Sequence, residues 1–485
     1  MSDTAGLVAS ANRSSYQYLM LAGVCAGAAY YTEDWIAAAA VIVIWLAWRY
    51  VKDDRGLPVI SMALTFQWTQ VTVGMWYHAL TGRPVRTMQL ADYRPMVLIG
   101  LGCVTALVFG LHAGMAWVRR SRHGTRHPST VPMPIGWYGL AAMYVIALSL
   151  QGTIGTIAYQ FPDLTQAILT LRFVHLALLF VILRRLTRPK PQWHWIGGIM
   201  VLEVVLGITG FFAGYREPIV MAIIALFETF NPRRVQQWVG LTAFGGALAV
   251  LSLFWMSVRV EYRKEFDNET FAESQSVRMN RMSELSSTWL SDTHDMSDDM
   301  DKLIDRMWVV YYPALAVARV PSVLPHTDGA LLSAALQHVF SPRVFFPTKV
   351  ELSNDSDMVR KYSGLWVAGT GQNTSIAFGY AGESYIDFGV PLMFLPVFLY
   401  GLVAGLAYQT LSVRIQHEEL RSGLLAVIFW LALYLFERSW VKTLGLMGTL
   451  LVYLGGPALL LDYYLSRFDT RRRDHPVEEP TEQWT

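Results

Sequence analysis

Residues 95–126 read PMVLIGLGCVTALVFGLHAGMAWVRRSRHGTR, an apolar run closed by four arginines. Up to Val118 the run has no Asp, Glu, Lys or Arg, and it exceeds the roughly 20 residues that a helix needs to cross a bilayer. It predicts a membrane-spanning helix with a basic cluster at its end.

The same alternation recurs along the chain. Further apolar runs extend from Tyr16 to Tyr31, Trp35 to Trp48, Leu57 to Leu80, Pro134 to Leu150 and Ala167 to Leu183. Others follow from Trp195 to Phe212, Pro218 to Phe230, Trp238 to Val258, Tyr385 to Tyr408, Gly423 to Phe436 and Leu444 to Leu465. The expected fold class is therefore an all-α integral membrane protein: a polytopic bundle of about 12 transmembrane helices with one long external loop containing short helices. Its parts are residues 1–258 (helices one to nine), 259–383 (the loop), 384–466 (helices ten to twelve) and 467–485 (a tail).

Composition agrees: 53% of the 485 residues are hydrophobic and 16% charged, against about 25% charged in an ordinary soluble domain. The net charge of +2 gives no reason to expect a nucleic-acid partner. Cys25 and Cys103 both lie in apolar runs and read as packing residues rather than metal ligands. The polar opening, Met1 to Ser15, lacks a basic-then-apolar cleavage pattern, so the first helix is expected to be retained.

Lys and Arg in short loops are held on the cytoplasmic side. With the N-terminus inside, Arg49, Lys52 and Arg55, then Arg119 to Arg126, Arg184 to Lys190, Arg233 and Arg234, Arg414 and Arg421, and Arg471 to Arg473 all face the cytoplasm. That is about 20 basic residues inside against about 6 in the opposite short loops. Both termini are then cytoplasmic, and the loop from Arg259 to Glu383 lies outside. Its first half, Glu261 to Asp305, reads as a solvated helical hairpin with an acidic run from Asp292 to Asp301 that lacks the glycine and terminal glutamate of a calcium loop. Its second half is aromatic and rich in Pro and Gly, and is expected to pack on the outer mouth of the bundle.

Charged residues also fall at the expected outer ends of helices. Arg216 and Glu217 sit in the turn GYREP, where a guanidinium at the bilayer surface either grips a phosphate bidentately or anchors the interface by pairing with Glu217. Arg172 and His175 lie one turn apart, and Glu437 and Arg438 occupy the last outer turn. Each pair alone reads more readily as a salt bridge than as a site; converging, they suggest an anion-binding cavity. Glu203, inside the seventh run, is an intramembrane carboxylate, either functional or satisfied by a neighbouring hydrogen-bond donor.

Residues 341–389 read SPRVFFPTKVELSNDSDMVRKYSGLWVAGTGQNTSIAFGYAGESYIDFG. The succession PR-x-FFP-x-K, TSI and GESYIDFG before an apolar run resembles the Wzy-type oligosaccharide repeat-unit polymerases of bacterial polysaccharide synthesis. The GYREP turn is similar to a Gly-x-Arg turn that those enzymes place on an outer loop. The segment Glu261 to Asp305 departs from the pattern, as does Glu217, which stands where a small residue is common.

The resemblance implies transfer of a growing glycan from undecaprenyl pyrophosphate onto the next lipid-linked repeat unit, at the outer face of the bacterial cytoplasmic membrane. Membrane lipids, and a chain-length regulator, are the further implied partners. Pyrophosphate leaves as an anion, so positive charge around it matters more than a general acid, and no metal or cofactor is expected. Arg216, Arg343 and Arg438 are the candidates for that charge, with Lys349 as a helper. Glu383 is the first choice as base for the attacking hydroxyl, ahead of His338 and Glu217, against the competing reading of a carboxylate that caps a helix N-terminus. Tyr385 and Asp387 are candidate sugar contacts, and Arg172 a further substrate contact. One-step displacement predicts inversion. A ligase moving finished glycan, and a transporter or flippase of lipid-linked sugars, are the alternatives; the second predicts an internal repeat, which the sequence lacks.

Overall fold

The computed structural model describes residues 2–52, 56–121, 131, 133–161, 164–188, 190–208, 214–265, 275–291, 296–341, 346, 352–369, 371 and 374–474. The chain begins with α1 (Ser2–Thr32), α2 (Trp35–Tyr50), α3 (Val59–Thr81), α4 (Arg86–Leu90), α5 (Arg94–Arg120), α6 (Trp137–Gln160) and α7 (Thr165–Thr170). After α8 (Val174–Thr187), α9 (Trp193–Ile208), α10 (Arg216–Glu228) and α11 (Val235–Glu265) comes the long connection. It holds α12 (Gln275–Ser291), α13 (Met296–Met307), α14 (Tyr311–Arg319), α15 (Ala330–Phe340), α16 (Asp355–Ser363) and α17 (Gly379–Phe388). The chain then forms α18 (Phe394–Arg414), α19 (Glu418–Leu433), α20 (Trp440–Leu450), a π turn and α21 (Gly456–Asp474). The pairing of β type among the described residues is an isolated bridge between Val131 and His417.

The protein is all-helical, and six stretches are long and apolar enough to cross a membrane: Arg94–Arg120, Trp137–Ala158, Thr165–Thr187, Val235–Tyr262, Phe394–Arg414 and Trp440–Arg467. All twelve apolar runs meet helix, but several fall short of the expected spans. α9 has 16 residues and α10 has 13. At 1.5 Å per residue these are about 24 and 20 Å long, against a hydrocarbon layer of about 30 Å. α3 is long enough but carries Gln67, Gln70 and Thr72 on its buried face.

Three boundaries differ from expectation. α11 runs on to Glu265, past the expected start of the loop, and α21 runs to Asp474, past the expected start of the tail. The run from Tyr385 to Tyr408 is two helices: α17 stops at Phe388, Gly389 takes a φ of +62°, and α18 begins at Phe394. A left-handed φ costs glycine little and other residues more, which is why the break falls there.

The acidic helix is docked rather than solvated, a correction to the hairpin reading; residues 292–295 lie outside the described ones. On α13, Asp301 accepts from the Tyr77 hydroxyl and faces Arg83 at 3.6 Å, while Asp305 accepts from the Arg86 amide at 3.1 Å. Trp308 follows, buried, with its indole N–H on the Val71 carbonyl at 2.7 Å. The start of the long connection is thus plugged into the end of α3.

The most intimate helix pair is α5 with α18. Gly110 and Gly114 face Gly401 and Gly405, and a Cβ at any of the four would overlap backbone atoms of the opposite helix. Such close approach is what two G-x-x-x-G spacings permit between membrane helices.

Candidate functional site

The site grows from two buried amides of α3. Gln67 donates to the Leu433 carbonyl and accepts from the Tyr380 hydroxyl at 2.6 Å; Gln70, one turn on, accepts from the Phe436 amide at 2.8 Å. Backbone groups freed at the end of α19 are thereby satisfied by side chains. The turn Tyr434 to Ser439 is pinned, and Glu437 and Arg438 project from it. Gly379, with φ +79°, lies against the Phe436 carbonyl and the Glu437 backbone, so a side chain there would push on the same turn.

Four arms meet at this end of the bundle. The start of α10 brings Arg216 and Glu217, and Glu217 lies within electrostatic reach of Arg216 and Arg438 together. Tyr434 in turn feels Glu217, Arg438, Arg216 and Glu437. Arg438 donates to the Leu431 carbonyl and stacks its guanidinium 5.1 Å from the Tyr434 ring centroid. From α13, Arg306 grips Glu437 through both nitrogens, at 2.6 and 2.9 Å, and that carboxylate raises the Arg306 pKa. Arg306 went unnoticed in the sequence; its signal was its place near the end of the strongly amphipathic helix that carries part of the acidic run.

The fourth arm is α17. Glu383 is buried and accepts the Trp440 amide N–H at 2.8 Å, and Trp440 donates its indole N–H to Ser384 Oγ at 2.9 Å. Ser439 occupies the N-cap position of α20 without making a side-chain cap bond, so the carboxylate from α17 supplies it. The helix-capping reading of Glu383 is therefore what the geometry displays, though for α20 rather than for its own helix. Burial pushes the Glu383 carboxyl up to about 8, against the pull of the Trp440 amide; Asp355 and Asp387 add to the rise and Lys442 opposes it.

Other expected residues are placed differently. Asp387 is fully buried and spends its carboxylate on the Thr327 hydroxyl and on the amides of Leu331 and Leu332, at 3.0 and 2.8 Å, at the start of α15. Tyr385 donates its hydroxyl to the Val320 carbonyl at 3.0 Å. These two expected sugar contacts are committed to holding the long connection together. His338, half-buried, lies on α15, which packs along α20. Arg172 is exposed on a 3-10 turn while His175, three residues on, is buried against Glu203, so the two do not form one cluster. Arg343 and Lys349 lie outside the described residues. Among the described residues no group of three or more His, Cys, Asp or Glu could hold a metal.

A cavity of about 560 Å³ opens elsewhere, at the opposite end of the bundle, among Arg184, Arg185, Arg188, Glu418 and Glu419. There Arg184 bridges Glu228 at 2.9 Å and Glu418, Arg188 reaches Glu228 at 2.8 Å, and Arg185 grips Glu419.

Fold and site define an all-helical protein with helices able to cross a membrane and a cluster of arginines and carboxylates at one bundle end. The chain belongs to the family described as a domain of unknown function, DUF8712, which matches residues 105–423. That match takes in Arg216, Glu217 and Glu383 and stops short of Arg438. No curated protein and no solved structure matches the chain.

Proposed function

We propose that this protein is a glycosyltransferase of the repeat-unit polymerase kind, joining oligosaccharides carried on undecaprenyl pyrophosphate at the outer face of the bacterial cytoplasmic membrane. One observation carries most of the weight. Arg216 and Arg438, on turns far apart in the chain, share electrostatic contact with Glu217, and among the described residues neither is in an ion pair. Two guanidiniums that share a single carboxylate, Glu217, suit a diphosphate, whose developing charge each can meet with a planar fork. Glu383 serves as base in this reading: its carboxyl keeps a proton below about 8, so it takes one from a sugar hydroxyl only in the ionised fraction, which grows as pH rises toward that value. The proposal includes both termini in the cytoplasm and the short helices α9, α10 and α19 as spans completed by local thinning of the bilayer.

The test is the length of glycan made in cells lacking the native gene and supplied with variants at matched membrane abundance. Arg216→Lys retains charge but removes the fork, and should leave single lipid-linked repeat units unextended. Normal chain lengths from a well-expressed Arg216→Lys protein would reduce this arginine to an interfacial anchor and the proposal with it. Reporter fusions after Lys190 and Arg473 should give cytoplasmic signals; an external signal at Arg473 would put the arginine cluster on the wrong face.

A further inference from the structure

Between α6, α8 and α9 lies a chain of polar side chains that glycosyl transfer does not use. Glu203, 3% exposed, sits on α9 about 15 Å from its first residue. The Tyr144 hydroxyl donates to Glu203 Oε1, and His175 Nε2 lies 3.1 and 3.3 Å from the two carboxylate oxygens. On its far side His175 Nδ1 is 2.6 Å from Gln151 Nε2. An amide N–H donates, so Nδ1 accepts and the imidazole proton is assigned to Nε2, facing the carboxylate.

Among the described residues Glu203 then has only neutral partners. An ionised carboxylate held by a phenol and a neutral imidazole leaves one uncompensated negative charge in the middle of a bundle, a costly arrangement in low dielectric. The charged groups of the packed helices stand at the ends. Arg184, Glu228, Glu418 and Arg421 lie toward one end, Arg172 and Glu217 toward the other. Arg184 is nine residues from His175 on the same helix, about 13 Å along it.

We infer that Tyr144, His175 and Glu203 form a proton-binding site within the membrane span of the bundle. Uptake of one proton from water converts the carboxylate–imidazole pair from a net charge of −1 to zero, and release restores it; no other bond changes. Glu203 can take the proton without rearrangement. Protonation at His175 Nδ1 would require Gln151 to turn its amide oxygen toward the ring, so that amide registers which group holds the proton. The competing role is plain interhelical hydrogen bonding, in which Glu203 never titrates. This inference does not depend on the glycosyltransferase proposal.

Dicyclohexylcarbodiimide, an apolar reagent that modifies protonated carboxyls, distinguishes the two on the intact protein in its native membranes. The expected result is an adduct on the Glu203 peptide whose yield falls as pH rises. In Tyr144→Phe, which removes one donor to the carboxylate, the fall should move to higher pH. Infrared difference spectra should show a protonated-carboxyl band that titrates and vanishes in Glu203→Gln, which covers the case in which the reagent cannot reach the site. Absence of both adduct and band over the pH range in which the protein stays folded would overturn the inference.

Discussion

The two ends of the bundle use arginine in opposite ways. At one end Arg184, Arg185 and Arg188 are spent on Glu228, Glu418 and Glu419, and the Arg184 and Glu228 side chains are 8% and 3% exposed. At the other, Arg216 and Arg438 share the field of Glu217 without an ion pair among the described residues. In sequence the first end carries several arginines in short stretches beside apolar runs, and the second carries single arginines, Arg216 and Arg438, each next to a glutamate. What separates them is the supply of carboxylates from other helices: α10 and α19 deliver Glu228, Glu418 and Glu419 to the first end, whereas Glu437 at the second is claimed by Arg306. A saturated cluster fastens helices; an unsaturated one keeps charge available for a ligand.

The sharpest way to break this contrast is to remove one half of the saturated cluster. Arg184→Leu takes one of two arginines from buried Glu228 and leaves Arg188, so the loss should approach but not exceed the about 3–5 kcal/mol typical of breaking a buried pair. The folded fraction in detergent should drop accordingly, and Arg184→Leu combined with Glu228→Leu should recover much of it. A single variant as stable as the native protein would show that water reaches this cluster freely. At the unsaturated end the expectation reverses. Arg438→Lys should leave thermal stability nearly unchanged and, on the proposed function, lower glycan extension by about 100-fold or more, the usual effect of losing a donor to a developing anion. Equal losses of stability and product would make the two ends equivalent.

A weaker effect concerns pH. The Glu383 carboxyl is held at about 8 against an ordinary 4.5, so between those values the folded protein keeps a proton that the unfolded chain has lost. Stability from this group is greatest below about 4.5 and falls as pH rises toward about 8. Unfolding midpoints measured across that window should decline, and Glu383→Gln should flatten the decline while keeping an acceptor for the Trp440 amide. Smallest of all is Lys442→Ala. It removes a half-exposed bridge to Asp355 at 2.6 Å, and such pairs are worth about 0–1 kcal/mol. A loss well beyond that in the unfolding midpoint would mean that α16 depends on this bridge for its docking.

Much of the helical layout was legible because apolar runs bounded by Arg and Lys leave few other options, as residues 95–120 illustrate. Length was less legible. The run from Tyr385 to Tyr408 is apolar but for Asp387, and Gly389 and Pro391 signalled that it is two helices. The convergence of Arg216 with Arg438 followed from treating both as residues at the same bundle end. That they share only Glu217 did not, because it depends on Arg306 arriving from the docked acidic helix to take Glu437. Gln67 and Gln70 were visible as two amides one turn apart in an apolar run, yet nothing local says that they hold the end of α19. Asp387 shows the reverse error: an acid in a distinctive motif drew a role in sugar binding, and its oxygens turned out to be occupied by the start of α15.

The glycine-lined contact of α5 with α18 also dictates the order in which the molecule can be completed. During synthesis α5 leaves the ribosome long before Phe394 does, so its grooved face must wait in the bilayer, covered by lipid, until most of the chain has been made. Chains truncated before α18 should therefore be recognised as incomplete by membrane proteases. Two separately expressed fragments divided in the long connection should instead find each other through this seam.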